Sequence, residues 1–560
     1  MEVLSFHKAK QVFVLFKHCL SFFKDNPYFS AMILNKQSFL NSWPFLLGLI
    51  LGLYFVVFNL TGLDFAYFPG DLGDGRFNTY ILEHGHKFLT GQVPSLWNAP
   101  YFYPAAEVIT FSDNLIGTVP IYSLFRGFGC DVETAFQSWF VTLAILNYTT
   151  CYFFLKAVTK NQYAAVLGAF VFAFSMALQS QMTHAQVFPR FFIPLCLWML
   201  VKFKASLHPK YLFLATLFLV LQFYAGIYLG FMLAIPFGIM LLLILFVFER
   251  KHFFQIAKQF RWWLFTLIGA GVNMFFLATL MLPYFERSKS VGVLGYDQIV
   301  GTIPSLRSFF FSQEGSLLWD GLSQVGIGYD AFWDHQLFPG ILTILSVIII
   351  TTIVILRKRI SGLSSIFSPT VWLLLITAGT TFLLFFRYQG YSLYKLVHVL
   401  PGFGSMRSLT RVINVELVFF ALFVCLVACL LFIWLSRYKV VVFIGFLSCL
   451  VVDNYFFADK TYRTDKNMAQ SRVETLKEKF EHIPTGEIVS YEPEALEDPH
   501  FFYQLDAMLA SQALNLKSVN GYSGNSPKGF DPFWWNPSET TRKQWFNAIH
   551  FEPDTLYVVR

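Results

Sequence analysis

Long apolar runs separated by short polar connections make up most of this chain. Stretches 46–60, 136–155, 163–178, 188–201, 262–284, 337–356, 371–386, 412–435 and 440–457 are strongly apolar. Stretch 211–248 holds two membrane spans at about 20 residues each, with the GIYLG segment Gly226–Gly230 as the turn between them. The pattern predicts about eleven transmembrane helices. From residue 458 onward it changes. Helical periodicity marks 471–482, 501–514 and 541–549, short strand patterns mark 488–491 and 556–559, and Val519–Pro527 is a turn-rich loop. The expected fold is mainly α: a polytopic helical membrane protein with a small α/β domain at its C-terminus.

Composition agrees. Of 560 residues, 56% are hydrophobic and only 13% charged, too few to cover a soluble surface of this size. Mean hydropathy is +0.54. The net charge of +7 therefore reads as a distribution across a membrane and not as a nucleic-acid signal. Lys156, Lys160, Lys202, Lys204, Lys210, Arg250, Lys251, Lys258, Arg261, Arg357, Lys358, Arg359, Arg437 and Lys439 all fall in alternate connections. By the positive-inside bias those connections and the N-terminus are cytoplasmic, and the C-terminus is outside. The expected division is a cytoplasmic amphipathic segment 1–43, a transmembrane unit 44–457 and an extracytoplasmic α/β domain 458–560. Outer loops fall at 64–135, 179–189, 285–336 and 387–411. Lys8, Lys10, Lys17 and Lys24 interrupt the start, which is no signal peptide. The seven Cys form no CxxC pair, so no zinc or redox site is indicated.

The first outer loop is unusually rich in chemistry. GDLGDGR places Asp71 and Asp74 three residues apart, with Arg76, Asn78, Glu83 and His84 on the following turns. Two such carboxylates hold a divalent cation or act as base and orienter; an Asp before a helix is also favoured simply as an N-cap. EHGH lacks the i,i+4 histidine spacing of a helical metal site, which favours a structural His84. Trp97 and Tyr103 offer either a membrane belt or a stacking wall for sugar rings, and Asp113 either meets Asp74 or caps a short helix over 115–125. In the second outer loop His184, Gln186 and Arg190 gather, and before the tenth span Arg407 and Arg411. Arginines on the outer side run against the charge bias and suit a phosphate, a lipid headgroup or nearby acids.

An inside N-terminus followed by an outer first loop with GDLGDGRFNTYILEH, together with WNAPYFYP, FSDN, PGFGSMRSLTR and NGYSG, resembles the GT-C superfamily of membrane glycosyltransferases, nearest to uncharacterised bacterial members. The resemblance implies transfer of a sugar from a polyprenyl-phosphate donor to a glycan, lipid or protein acceptor at the outer face of a bacterial cytoplasmic membrane. It implies that the first-loop acid, Asp74 or Asp71, is the base or a ligand of Mg or Mn. The chain departs from the superfamily in spacing its acids Asp-x-x-Asp instead of side by side. Asp113 is a third catalytic candidate. Arg76, Asn78, Glu83, His84, Trp97, Tyr103, His184, Gln186, Arg190, Arg407 and Arg411 are the expected substrate-binding set. A transporter or lipid flippase is the alternative, and a non-catalytic envelope scaffold a third reading.

Overall fold

A computed structural model describes residues 42–292, 294–329, 332–356 and 366–560. The expected amphipathic N-terminus and the Arg357–Arg359 cluster lie outside the described residues. Seven described helices are long and apolar enough to cross a membrane: Trp43–Thr61, Val132–Thr159, Gln162–Gln179, Ala185–Ser206, Ile227–Phe248, Phe260–Lys289 and Leu409–Trp434. Pro209–Ala225, Ile341–Leu356 and Pro369–Leu384 are apolar but shorter, and Lys439–Asp453 is a further short helix. At about 1.5 Å per residue the short helices reach roughly 22–26 Å, less than a hydrocarbon core of about 30 Å. All the apolar stretches are thus helical, while seven reach full spanning length. The chain is a polytopic helical membrane protein.

Local chemistry sets the helix boundaries. The Asp131 carboxylate accepts the Thr134 N–H at 2.7 Å and starts Val132–Thr159. Asn161 does the same for the next helix. Pro209 occupies a first-turn position, where its missing N–H costs nothing. Between Pro209–Ala225 and Ile227–Leu243 the chain breaks at Gly226, where a side chain would come within 3.1 Å of the Gln186 carbonyl. Burial then orders the bundle. The Gln162–Gln179 span is 89% buried and packs between Val132–Thr159 and Ile413–Trp434, whereas Phe260–Lys289 is only 17% buried. The first is the bundle's centre; the second lies at its lipid-facing rim.

One end of the bundle carries the first loop and the C-terminal segment together. Strand Tyr67–Pro69 pairs antiparallel with Arg463–Asp465. Gly70, at φ +108°, then turns the chain tightly past Met182 into helix Asp74–Leu89. The C-terminal segment builds a three-stranded parallel sheet, ordered Lys517–Ser518, Ile488–Tyr491, Tyr557–Val559. Helices Lys466–Phe480, His500–Leu514, Asp531–Trp535 and Glu539–Ala548 surround it. Leu505, Met508, Val519, Phe530 and Trp545 of this segment share one continuous core with Tyr80, Tyr101, Phe102 and Phe111 of the first loop. Buried Arg76 bonds to Asp506, which also takes Arg472 Nη2 at 2.7 Å. Tyr103 N–H donates to the Ser518 carbonyl at 2.9 Å, and Ser518 N–H returns a bond to Pro100 at 2.9 Å. The C-terminal segment is therefore built onto the first loop; it is not an appendage joined only through its chain.

Candidate active site

The two acids of GDLGDGR have different jobs. Asp71 Oδ1 accepts the backbone N–H of Gly73 at 3.1 Å and of Gly75 at 3.3 Å, so it caps the first turn of Asp74–Leu89. Its outer edge is exposed, but the protein packed around it and the charge of Asp74 raise its pKa above the ordinary value. Asp74, the first residue of the helix, caps nothing. Its Oδ2 lies 2.6 Å from His184 Nδ1, and its Oδ1 accepts the Tyr522 hydroxyl at 2.5 Å. Burial pushes the Asp74 pKa up, but the His184 hydrogen bond and charge, Tyr522 and Arg411 outweigh it and bring the pKa down to about 2. Asp74 is thus an anion that only accepts, so His184 Nδ1 carries the proton between them, and in the neutral imidazole Nε2 then holds the lone pair. Among the described residues, Nε2 has no hydrogen-bond partner.

Arginines face this pair from the segment before Ile413–Trp434. Arg411 lies in the field of both Asp74 and Asp113, with its guanidinium 4.9 Å above the Tyr228 ring. Its buried Nε has no partner among the described residues. Arg407 donates its backbone N–H to the Tyr228 hydroxyl at 2.9 Å, and its Nη2 would lie 3.3 Å from a side chain at Gly524, two residues past Tyr522. Neither arginine is in an ion pair among the described residues. Asp113 Oδ1 accepts the Ile227 N–H at 2.6 Å. It is a cap after all, though for the helix Ile227–Leu243 and not for 115–125. Burial raises its pKa, against the pull of Arg411 and the Ile227 and Tyr228 N–H groups. Asn78 Nδ2 bonds the Asp74 carbonyl at 2.7 Å and Gln186 Oε1 at 2.9 Å, which docks the His184 loop onto the Asp74 helix.

Other expected site residues sit elsewhere. Arg76 is committed to Asp506. Glu83 takes Arg126 at 2.9 Å and the Tyr122 hydroxyl at 2.8 Å, clasping Asp74–Leu89 to Val119–Gly127. His84 Nε2 lies 3.1 Å from the carbonyls of Ser95 and Leu96; burial drops its pKa to about 4, so it is a neutral structural donor. Trp97 packs edge-on to Tyr284 at 5.9 Å, and Tyr103 packs edge-on to Phe551 at 5.8 Å. Arg190 is fully buried, with its guanidinium 4.7 Å from the Phe172 ring and bonded to the Phe172 carbonyl at 2.8 Å. Tyr522 and Tyr228 were not among the expected residues. Their only sequence signal is an aromatic hydroxyl inside a glycine-rich turn, in NGYSG and GIYLG.

No protein-family model and no curated protein matches the chain. Among solved structures it is similar to the oligosaccharyltransferase of Archaeoglobus fulgidus. With that protein's complex with Zn and sulfate the TM-score is 0.45 at 12% identity, over 85% of this chain and 62% of the other. With its apo form the TM-score is 0.44 at 14% identity, over 88% and 65%. The chain thus spans less than two thirds of that protein's length.

The donor set does not make a cation cage. Among the described residues no three His, Cys, Asp or Glu side chains are grouped to hold a metal. Both Asp74 oxygens are already engaged, and Asp71 is occupied as a cap. A cation shared by Asp71 and Asp74 would find no third His, Cys, Asp or Glu ligand beside them among the described residues. What the arrangement offers is an oriented imidazole, a fixed anion behind it and two arginines without ion-pair partners among the described residues.

Proposed function

We propose that the protein is a membrane glycosyltransferase that moves a sugar from a polyprenyl-phosphate donor to an acceptor hydroxyl. The observation that carries this reading is the Asp74 carboxylate held between His184 and Tyr522 and faced by Arg411. An acid at about pKa 2 is a weak base. The proton acceptor is therefore His184 Nε2, with Asp74 holding the tautomer and stabilising the imidazolium as it forms. The acceptor oxygen attacks the anomeric carbon, its proton passes to Nε2, and the bond from that carbon to the phosphate oxygen breaks. The electron pair leaves with the polyprenyl phosphate, whose charge Arg407 and Arg411 meet. The site belongs to the outer face, as the charge bias of the connections suggests.

The test supplies the full-length protein in native-lipid vesicles with radiolabelled polyprenyl-phosphate sugars and follows label leaving the lipid. Transfer by the parent, with loss in His184→Gln, supports the reading; no transfer from any such donor refutes it. The transporter alternative has one observation of its own. Arg190 and Glu416 are buried within spanning helices, with Arg190 Nε and Nη1 and Glu416 Oε2 unpartnered among the described residues. Lipid or substrate translocation that depends on Glu416 and Arg190, without turnover of a donor, would favour it.

A further inference from the structure

An aromatic ledge runs outward from the candidate site on the C-terminal segment. The Tyr522 ring, whose hydroxyl meets Asp74, lies 5.5 Å from Trp534 and 6.2 Å from Phe501. His500 continues the row at 5.2 Å from Trp534 and 4.3 Å from Trp535. Phe501 reaches back over Gly73, where an added side chain would lie 3.3 Å from its ring and 3.4 Å from Asp71. The row therefore begins at the acids and ends at Trp535, which is 63% exposed. Its near neighbours along the chain include the polar Asp531 and Asn536, both exposed.

A large exposed indole has two common uses, a membrane belt or a platform for a ring-shaped ligand. The surroundings decide between them here. A belt residue continues the apolar rim of a spanning helix, whereas Trp535 sits in the C-terminal segment beside carboxylate and amide groups. Pyranose rings present C–H faces that stack on an indole and edge hydroxyls that bond Asp and Asn. Fixed rings also cost little ordering entropy when they bind. We propose that Trp535, Trp534, His500 and Phe501 form the platform on which a carbohydrate acceptor stacks, with one of its hydroxyls delivered past Tyr522 to His184. The idea rests on the transferase reading for its direction, though not for its ligand. Tyr522 then serves as a positioning residue: it holds Asp74 and forms the inner end of the platform.

Binding tests the platform without turnover. Full-length protein in detergent is mixed with neutral tetrasaccharides built from glucose, mannose, galactose and N-acetylglucosamine, and saturation-transfer NMR is recorded for each. The expected result is transfer to ring C–H protons of at least one, weakened about tenfold in Trp535→Ala, the scale of removing one interface tryptophan, and kept in Trp535→Phe. Trp535 is too exposed for its loss to threaten the fold, and size-exclusion profiles check that. Silence from all four sugars, or equal signals from parent and Trp535→Ala, overturns the platform. Quenching of Trp535 by brominated lipid with no sugar signal assigns it to the membrane instead and also overturns it. Sugar binding by a parent that transfers nothing would refute the transferase reading and leave the platform standing.

Discussion

Asp74→Asn separates an orienting carboxylate from a structural one. The substitution keeps size and one acceptor oxygen, but turns an N–H₂ toward either His184 or Tyr522, both of which donate to Asp74. The fall of the Asp74 pKa from 3.8 to about 2 measures how far its partners favour the anion over burial. At about 1.4 kcal/mol per pH unit that is on the order of 2 kcal/mol. Losing control of the His184 tautomer adds to it, as for any acid–imidazole pair. Transfer should therefore fall about 100-fold, with expression and donor retention unchanged. Vesicles with radiolabelled donor give the rate, and co-purifying lipid gives retention. The stability consequence has a definite sign. A depressed carboxylate pKa contributes fully above the ordinary value and is lost as pH falls through the folded one, here between about 4 and 2. The parent should thus lose more stability than Asp74→Asn across that window. Asp71→Asn is the control, since an Asn still accepts the Gly73 and Gly75 N–H groups and should cost little. Parental rates in Asp74→Asn, Asp71→Asn and the double variant would refute the site, and a larger loss in Asp71→Asn would reverse the two roles.

Three further outcomes follow from the geometry. Arg411→Lys keeps charge but loses the planar stack on Tyr228 and the bidentate fork, so donor turnover should drop about tenfold or more while the protein stays folded; an unchanged rate would make Arg411 structural. Asp506→Ala strips the partner from buried Arg76 and one of the two from Arg472, a loss of about 3–5 kcal/mol; limited proteolysis should then release the C-terminal segment, and unaltered resistance would contradict the ion-pair account. Because no three ligating side chains are grouped among the described residues, EDTA should leave transfer unchanged, and restoration by added Mg or Mn after chelation would overturn that.

Much of the fold is local and so was readable in order along the chain. Apolar runs become helices because each backbone group finds its partner within four residues, which is what a membrane demands. The break at Gly226 and the strand Ile488–Tyr491 are likewise written in short windows. The limit is length: Pro209–Ala225 and its short companions are apolar, yet hydropathy alone does not say how far a helix runs. The site is different because its partners are remote. His184 is 110 residues from Asp74 and Tyr522 is 448. Only packing of the C-terminal segment onto the first loop brings that hydroxyl to that carboxylate. The same packing drew Arg76 away to Asp506, while packing among the spanning helices took in Arg190. It also gave Asp113 a helix 114 residues downstream to cap. Residue type and spacing marked which groups were costly to place near a membrane. Tertiary structure decided which carboxylate would be satisfied by backbone N–H groups and which would be left to hold an imidazole, because a charge takes whichever donors the fold brings within hydrogen-bond reach.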